Sequence, residues 1–223
     1  MRNFTVINAE QRSPEWFAAR LGRLTGSKAG DMLAKVQKGE AAGRRNLRMQ
    51  LILERLTNKP QEKKGDYQSQ AMKDGIEREP LAIGAYEAYT GTLLEQTGFL
   101  AHNDLMVGAS LDGHLGDFET LISIKCRQPA AHWDFLRHGI IPADAIAQMR
   151  HEAWITGATD HHYVSWNPDF PDDKQLKFVV YTRAMLDVPA YEAEALKFLA
   201  EVDAELKSID GWSVLKAEAA GVA

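Results

Sequence analysis

The segment Gly108-Ala-Ser110-Leu-Asp112-Gly113, followed eleven residues after its aspartate by Ser123-Ile124-Lys125, holds the residue types best able to do chemistry. An aspartate at the end of one strand and an acid-X-lysine triplet on the next can hold Mg²⁺ and position a water for attack on a phosphodiester. In Leu121-Ile-Ser-Ile-Lys-Cys126 strand alternation puts Ile122, Ile124 and Cys126 on one face, suited to a core, and Ser123 and Lys125 on the other. Lys125 is then an amine able to orient the attacking water or help deprotonate it, and Ile124 can lend its backbone carbonyl to the cation. Mg²⁺ takes oxygen ligands in octahedral geometry and keeps several waters, so two carboxylates and a carbonyl suffice.

The triplet needs Asp or Glu where Ser123 stands, and a neutral hydroxyl is a poor ligand. Glu119 shares the parity of Ser123 but lies roughly 13 Å away at the rise of a strand. Serine there fits an alteration that traps a complex, compensation by another ligand, or a weak or dead enzyme. Glu79, in Gly75-Ile-Glu-Arg-Glu79-Pro80, is the third candidate acid, with a glycine one helical turn before it that permits close approach.

Each of these residues also has an ordinary reading. A glutamate on a helix is more often a solvated surface residue, Asp112-Gly113 alone reads as a turn, and Lys125 alone reads as plain solvent-facing charge. His161-His162 lacks a second pair at ligand spacing and reads as surface where a strand begins. The five tryptophans, at 16, 133, 154, 166 and 212, read mostly as core or interface.

The elements that must position these groups are legible from period and caps. Ser13-Pro14 opens a helix to about Leu21 that stops at Gly22, and Ser27 is the expected N-cap of a helix over Lys28 to Val36. Longer helices are expected over Arg44 to Thr57 and Ser69 to Tyr89, the latter kinked or restarted at Pro80 and stopped at Gly91. Lys59 to Asp66 reads as loop. Strands follow at Thr92 to Leu100, Leu105 to Leu111 and Glu119 to Cys126, then helices at Pro129 to His138 and Pro142 to Thr156. Two strands, His162 to Trp166 and Leu176 to Tyr181, precede a closing helix from Pro189 to Ile209. The expected fold is α/β or α+β, a mixed central sheet flanked by helices, in a single domain over 1–223 with a core at about 11–185.

Composition sets outer limits. A chain of 223 residues can bury a substantial core. No apolar run is long enough for a membrane helix and the N-terminus lacks a signal-peptide core, so a soluble cytoplasmic protein is expected. The single cysteine, Cys126, excludes an intrachain disulfide and a thiolate zinc cluster. A net charge of −5 argues against wrapping nucleic acid over the whole surface. Clusters at Arg44, Arg45 and Arg48, and at Lys63 and Lys64, leave room for a local basic groove.

Read in order, Trp16-Phe-Ala-Ala-Arg20-Leu-Gly22-Arg-Leu-Thr25-Gly-Ser27, Gly75 to Pro80, Gly108 to Gly113, Ile124-Lys125-Cys126, and Gln148 ahead of Trp154 resemble the lambda-exonuclease/YqaJ viral recombinase family. The resemblance runs from about residue 11 to 166. It implies a type II restriction-endonuclease-like core and a Mg²⁺-dependent (Mn²⁺ as substitute) 5′→3′ exonuclease that leaves 3′ overhangs on double-stranded DNA ends for phage-type recombination. It further implies a homotrimer around the duplex, a single-strand annealing partner, substrate ends with a 5′ phosphate, and a bacterial host or prophage origin. By position, Asp112 becomes a metal ligand, Lys125 the catalytic lysine, Glu79 an auxiliary acid and Gln148 a residue lining the site. Ser123 fills the missing ligand position. Arg20 takes the place of the arginine on the 5′-terminal phosphate, with Ser27 and Ser110 beside it; the N-cap reading of Ser27 would add a helix N-terminus to that phosphate contact. Leu111 replaces a usual proline, and Arg150 replaces a second glutamine and adds charge near the site. The alternatives are a DNA-end binding protein without catalysis and an endonuclease of the same fold.

Overall fold

A computed structural model of the chain describes residues 2–61 and 70–209. Lys63, Lys64, Trp212 and most of the expected loop over 59–66 lie outside the described residues. The elements in chain order are β1 (Phe4–Ile7), α1 (Pro14–Arg20), β2 (Leu24–Thr25), α2 (Ala29–Leu33), α3 (Ala42–Thr57), α4 (Gln70–Thr90) and β3 (Phe99–His102). Then come β4 (Val107–Ser110), β5 (Gly113–Leu115), β6 (Thr120–Cys126), α5 (Pro129–His138), α6 (Ala143–Thr156), β7 (Asp160–Trp166), β8 (Leu176–Thr182) and α7 (Val188–Ile209). The fold is mixed α/β, as expected, but the strands form two four-stranded sheets, ordered β1-β3-β4-β2 and β5-β6-β7-β8.

The chain changes sheets at two places, and both account for strands read too long from sequence. The stretch over 92–100 divides because Glu95 bridges His114 at the edge of the second sheet, whereas Phe99 already pairs with Ser110 in the first. Between them Gly98 passes so close to β1 that a Cβ would lie 2.1 Å from the Ile7 carbonyl oxygen. Likewise β4 ends at Ser110 in the first sheet and β5 begins at Gly113 in the second, leaving Asp112 in the crossing. Asp112-Gly113 is therefore a sheet-to-sheet passage and not a hairpin turn; the turn between β5 and β6 uses positive φ at Gly116 and Phe118 instead.

Strand β6 pairs in parallel with β7, Ser123 opposite Tyr163 and Lys125 opposite Ser165. A parallel pair needs a long crossover, and α5 and α6 supply it. Helix α6 is buried almost all round, carrying Ala145, Ala147, Met149, Ala153, Trp154 and Ile155 into the main core. Such burial marks a helix covered on every side by its own protein. Its polar residues must then find partners inside. His151 does so with the Tyr191 hydroxyl at 2.7 Å and the Gly108 carbonyl at 3.0 Å. The carbonyl can only accept, so Nε2 donates to it and Nδ1 accepts from Tyr191. Burial lowers the imidazole pKa to about 4 and keeps it neutral.

Several local expectations change. Ser27 sits within a 3₁₀ turn, Gly26–Lys28, and does not cap α2, which has only five residues. Pro80 lies inside α4, which runs on through it. Arg44 and Arg48 are not free for the basic groove that the cluster left room for, because both pair with Glu40, and with Glu201 and Glu205 of α7, tying α3 to α7. His161 is fully buried, and His162 hydrogen-bonds the Tyr86 hydroxyl and stacks on Phe178, so neither forms a surface pair. Trp154 and Trp166 are core, whereas Trp133 is exposed.

Gly108 shows how tightly the first sheet is packed beneath the site: a Cβ there would lie 2.1 Å from the Phe99 ring and 2.7 Å from the Leu100 carbonyl oxygen. Overpacking of this kind destabilises by about 1–3 kcal/mol. We expect Gly108→Ala to lower the thermal midpoint by roughly 2–12 °C, the range such a loss implies for a chain of this size. An unchanged midpoint in a calorimetric scan would contradict the packing described.

Candidate active site

Asp112 is held by the edge of β6. Strand β5 pairs with β6 only from Gly113 opposite Ile122 to Leu115 opposite Thr120, so β6 beyond Ile122 has no strand neighbour on that side. An unpaired buried N–H must find an acceptor, and the Ile124 N–H donates to the Asp112 carboxylate at 2.8 Å. A strand residue directs its N–H and C=O to the same edge, so the Ile124 carbonyl faces the side where Asp112 stands. The Lys125 ammonium lies 3.7 Å from the same carboxylate oxygen. Asp112 is the largest influence on Lys125 and raises its pKa, so the amine is held charged.

Three carboxylates share this region. Glu79 of α4 sits over β6, 3.9 Å from Arg12, and its pKa is raised by burial first and by Asp112 second. Glu152 of α6 was not singled out in the sequence. It is 2% exposed, and burial, with Asp112 next, pushes its carboxyl up to about 8. Gln148 donates to one of its oxygens at 2.8 Å; Ser123 makes a long contact of 3.5 Å to the other. Ser123 is 2% exposed and also meets His161 Nε2 at 2.9 Å. Burial, with Lys125 next, drives the His161 pKa down to about 3, which leaves it neutral. The polar face of β6 thus looks into the protein beneath α6 at Ser123, and Lys125 is not the plain solvent-facing charge of its ordinary reading.

An open cleft of about 740 Å³ is lined by Arg12, Ser27, Glu79, Ile124, Lys125 and Gln148, among others. Arg20 stands beside it. Its guanidinium donates to Ser110 at 3.1 Å and to Thr25 and Ser27 at 3.4 Å, and lies 4.0 Å from the centre of the Trp16 ring. Trp16 Nε1 also donates to Ser110, at 2.9 Å. The partners of Arg20 are hydroxyls, which leave the guanidinium's charge free for an anion, and burial lowers its pKa to about 10. Gly26 packs this pocket onto α6: a Cβ there would lie 3.2 Å from Gln148 Cγ and 3.3 Å from Glu152 Oε1.

The residues read from sequence therefore converge. Ile124, Lys125, Glu79, Gln148 and Ser27 line the cleft, Asp112 joins them through Lys125 and the Ile124 N–H, Arg20 and Ser110 adjoin through Ser27, and Ser123 is buried beneath. Arg150 departs from expectation: its guanidinium donates to the Leu186 carbonyl and points away from the site. Glu152, Trp16, Thr25 and Arg12 were missed as site residues. Glu152 had a signal, since it stands four residues after Gln148 and so on the same side of α6.

Among the described residues, no three His, Cys, Asp or Glu side chains already form a metal cage. The donor set nevertheless suits a hard divalent cation. Oxygen donors from Asp112 and Ile124 lie together, Mg²⁺ needs few protein ligands, and the carboxyls of Glu79 and Glu152 are both pushed up partly by the charge of Asp112. The one thiol nearby, Cys126, is raised to about 11 by burial and stays protonated.

The Arg20 pocket has a simple test. Ser110→Ala removes the acceptor shared by Trp16 and Arg20 and should destabilise by about 1–2 kcal/mol, with a shift in tryptophan emission as the indole loses its partner. Unchanged stability and emission would contradict this arrangement.

Comparison with known proteins follows the same lines. The YqaJ-like viral recombinase domain matches residues 15–159. No curated protein sequence matches the chain. The alkaline exonuclease LHK-Exo from Laribacter hongkongensis, matched in two crystal structures of which one is in complex with dAMP, is 34% identical, with a TM-score of 0.77 over 95% of this chain and 100% of the other. A phage related exonuclease from Haemophilus somnus 129PT, 12% identical with a TM-score of 0.57 over 82% of this chain and 96% of its own, shares the fold. The ordered motifs, the cleft they build and a match across more than half the length agree: the chain belongs to the YqaJ-like viral recombinase domain family.

Proposed function

We propose that this chain is a deoxyribonuclease of the alkaline-exonuclease kind, degrading the 5′ strand of double-stranded DNA ends to leave 3′ overhangs for recombination. The observation that supports it most is the Lys125 ammonium 3.7 Å from the Asp112 carboxylate at an open cleft, with an arginine in a pocket of hydroxyls alongside. Asp112 and the Ile124 carbonyl would hold Mg²⁺, or Mn²⁺ in its place, which supplies Lewis-acid stabilisation of charge on the phosphate.

The chain's own residues account for the rest. Lys125 orients a water for in-line attack and offsets negative charge as the water oxygen bonds to phosphorus. The P–O3′ bond breaks, the departing 3′ oxygen takes up a proton, and the phosphate stays on the next nucleotide as a new 5′ end. Arg20 binds that 5′ phosphate through its guanidinium fork, with Thr25, Ser27 and Ser110 adding hydroxyls. Glu79, its pKa raised by burial, and Gln148 face the same cleft and help seat the strand. No helix among the described residues is long and apolar enough to cross a membrane, and we place the activity in the cytoplasm of a bacterial host. A homotrimer around the duplex and a single-strand annealing partner complete the proposal. Ser123, a neutral residue at a ligand position, favours one second reading, DNA-end binding without cleavage.

The assay uses linear duplex with 5′ phosphates or 5′ hydroxyls, and closed circular duplex, each with Mg²⁺. Mononucleotides should be released from the 5′ strand of the linear form only. Lys125→Met should lower the rate about 10²- to 10⁴-fold, and Arg20→Ala should abolish preference for the phosphorylated end. Cutting of the circle, or loss of the 3′ strand first, would contradict the proposal; retention of ends without release of nucleotides would favour the second reading.

A further inference from the structure

The acid that the triplet lacks at position 123 has a replacement across the core. Glu119, the nearest acid of the same strand parity, is exposed ahead of β6 and offers its backbone carbonyl to Thr159 and Asp160, so it does not take over. Glu152 reaches the place from the opposite element. Helix α6 lies over the face of β6 that carries Ser123 and Lys125, and one Glu152 carboxylate oxygen stands 3.5 Å from the Ser123 hydroxyl. The side chain is enclosed, 3% exposed, and its polar neighbours are the Gln148 amide, that hydroxyl and the His161 imidazole, whose Nε2 stands 3.4 Å from the oxygen over Ser123. None carries a fixed positive charge. A buried carboxylate with only neutral partners is costly unless a cation completes it.

The surroundings are shaped for this carboxylate. Serine at 123 is short enough to leave room for it, whereas glutamate at both positions would set two like charges side by side. Gly26 gives further room, since any side chain there would press on Gln148 and Glu152. The Gln148 amide fixes the far oxygen and leaves the near one over Ser123, facing the strand that also carries Ile124 and Lys125. We infer that Glu152 of α6, in place of residue 123 of β6, supplies the second carboxylate to the divalent cation held by Asp112. This rests on the nuclease reading given above, and it makes the serine a relocation of the ligand and not its loss.

The test is Mn²⁺ binding to the full chain, followed by calorimetry and by the electron paramagnetic resonance of free Mn²⁺, with circular dichroism as the check on folding. Glu152→Gln should weaken Mn²⁺ binding about 10- to 100-fold, a loss at least as large as that seen when groups supporting a ligand are removed. The exchange Ser123→Glu with Glu152→Ser returns the carboxylate to the strand and should restore most of the affinity. Wild-type affinity in a folded Glu152→Gln, or a folded exchange variant that does not bind, would overturn the inference. Where Glu152→Gln does not fold, the exchange variant decides alone. Wild-type protein that binds Mn²⁺ through Glu152 yet leaves linear duplex intact would remove the nuclease reading only. Digestion by the wild type alongside unchanged Mn²⁺ binding by Glu152→Gln would remove this inference only.

Discussion

The hydrogen bond from the Ile124 N–H to the Asp112 carboxylate joins the fold to the chemistry. It exists because β5 is short and β6 is long, so one backbone donor is left over at the point where the chain passes from one sheet to the other. A side chain fills the gap that a strand would otherwise fill. That choice fixes the carboxylate beside Lys125, directs a carbonyl toward it, and opens the edge of the sheet to a substrate. A longer β5 would satisfy the donor and close the site.

Helix α6 contributes from the other side by a different route. It is the crossover that a parallel β6–β7 pair demands, and its burial is enforced by the apolar residues it shares with the core. Placing Gln148, His151 and Glu152 on such a helix is destabilising unless each is matched. His151 is satisfied by Tyr191 and Gly108 and serves the fold. Gln148 and Glu152 are matched mainly to each other and to Ser123, on the side of the helix that meets the cleft. Structural and chemical burdens thus fall on different sides of one element, and Arg150, bonded to the Leu186 carbonyl just ahead of α7, belongs to the structural side.

Much of this was legible in the residues. Long helices were placed closely, among them Ala42–Thr57 and Val188–Ile209, because apolar period carries the information locally. Asp112, Lys125, Glu79 and Gln148 could be grouped because motif order survives in one dimension. Strand division was harder: period alone does not say which sheet a residue joins, so the change at Gly98 and again at Asp112 went unread. Glu152 was hidden for a related reason. Its partner Ser123 lies 29 positions away, and only the crossover brings a helix residue over a strand residue. Ser27 misled because a serine before a helical stretch has the same appearance whether it caps the helix or sits inside a 3₁₀ turn.

The central claim is that the Asp112 carboxylate, displayed at the unpaired edge of β6, is the anchor of a cation site next to Lys125. Anomalous diffraction from crystals of the chain soaked in Mn²⁺ tests it most directly. The account predicts a single strong peak at roughly 2.0–2.2 Å from Asp112, within reach of the Ile124 carbonyl. A peak elsewhere with Asp112 left uncoordinated, or no peak when Mn²⁺ is present well above the affinity measured in solution, would contradict it.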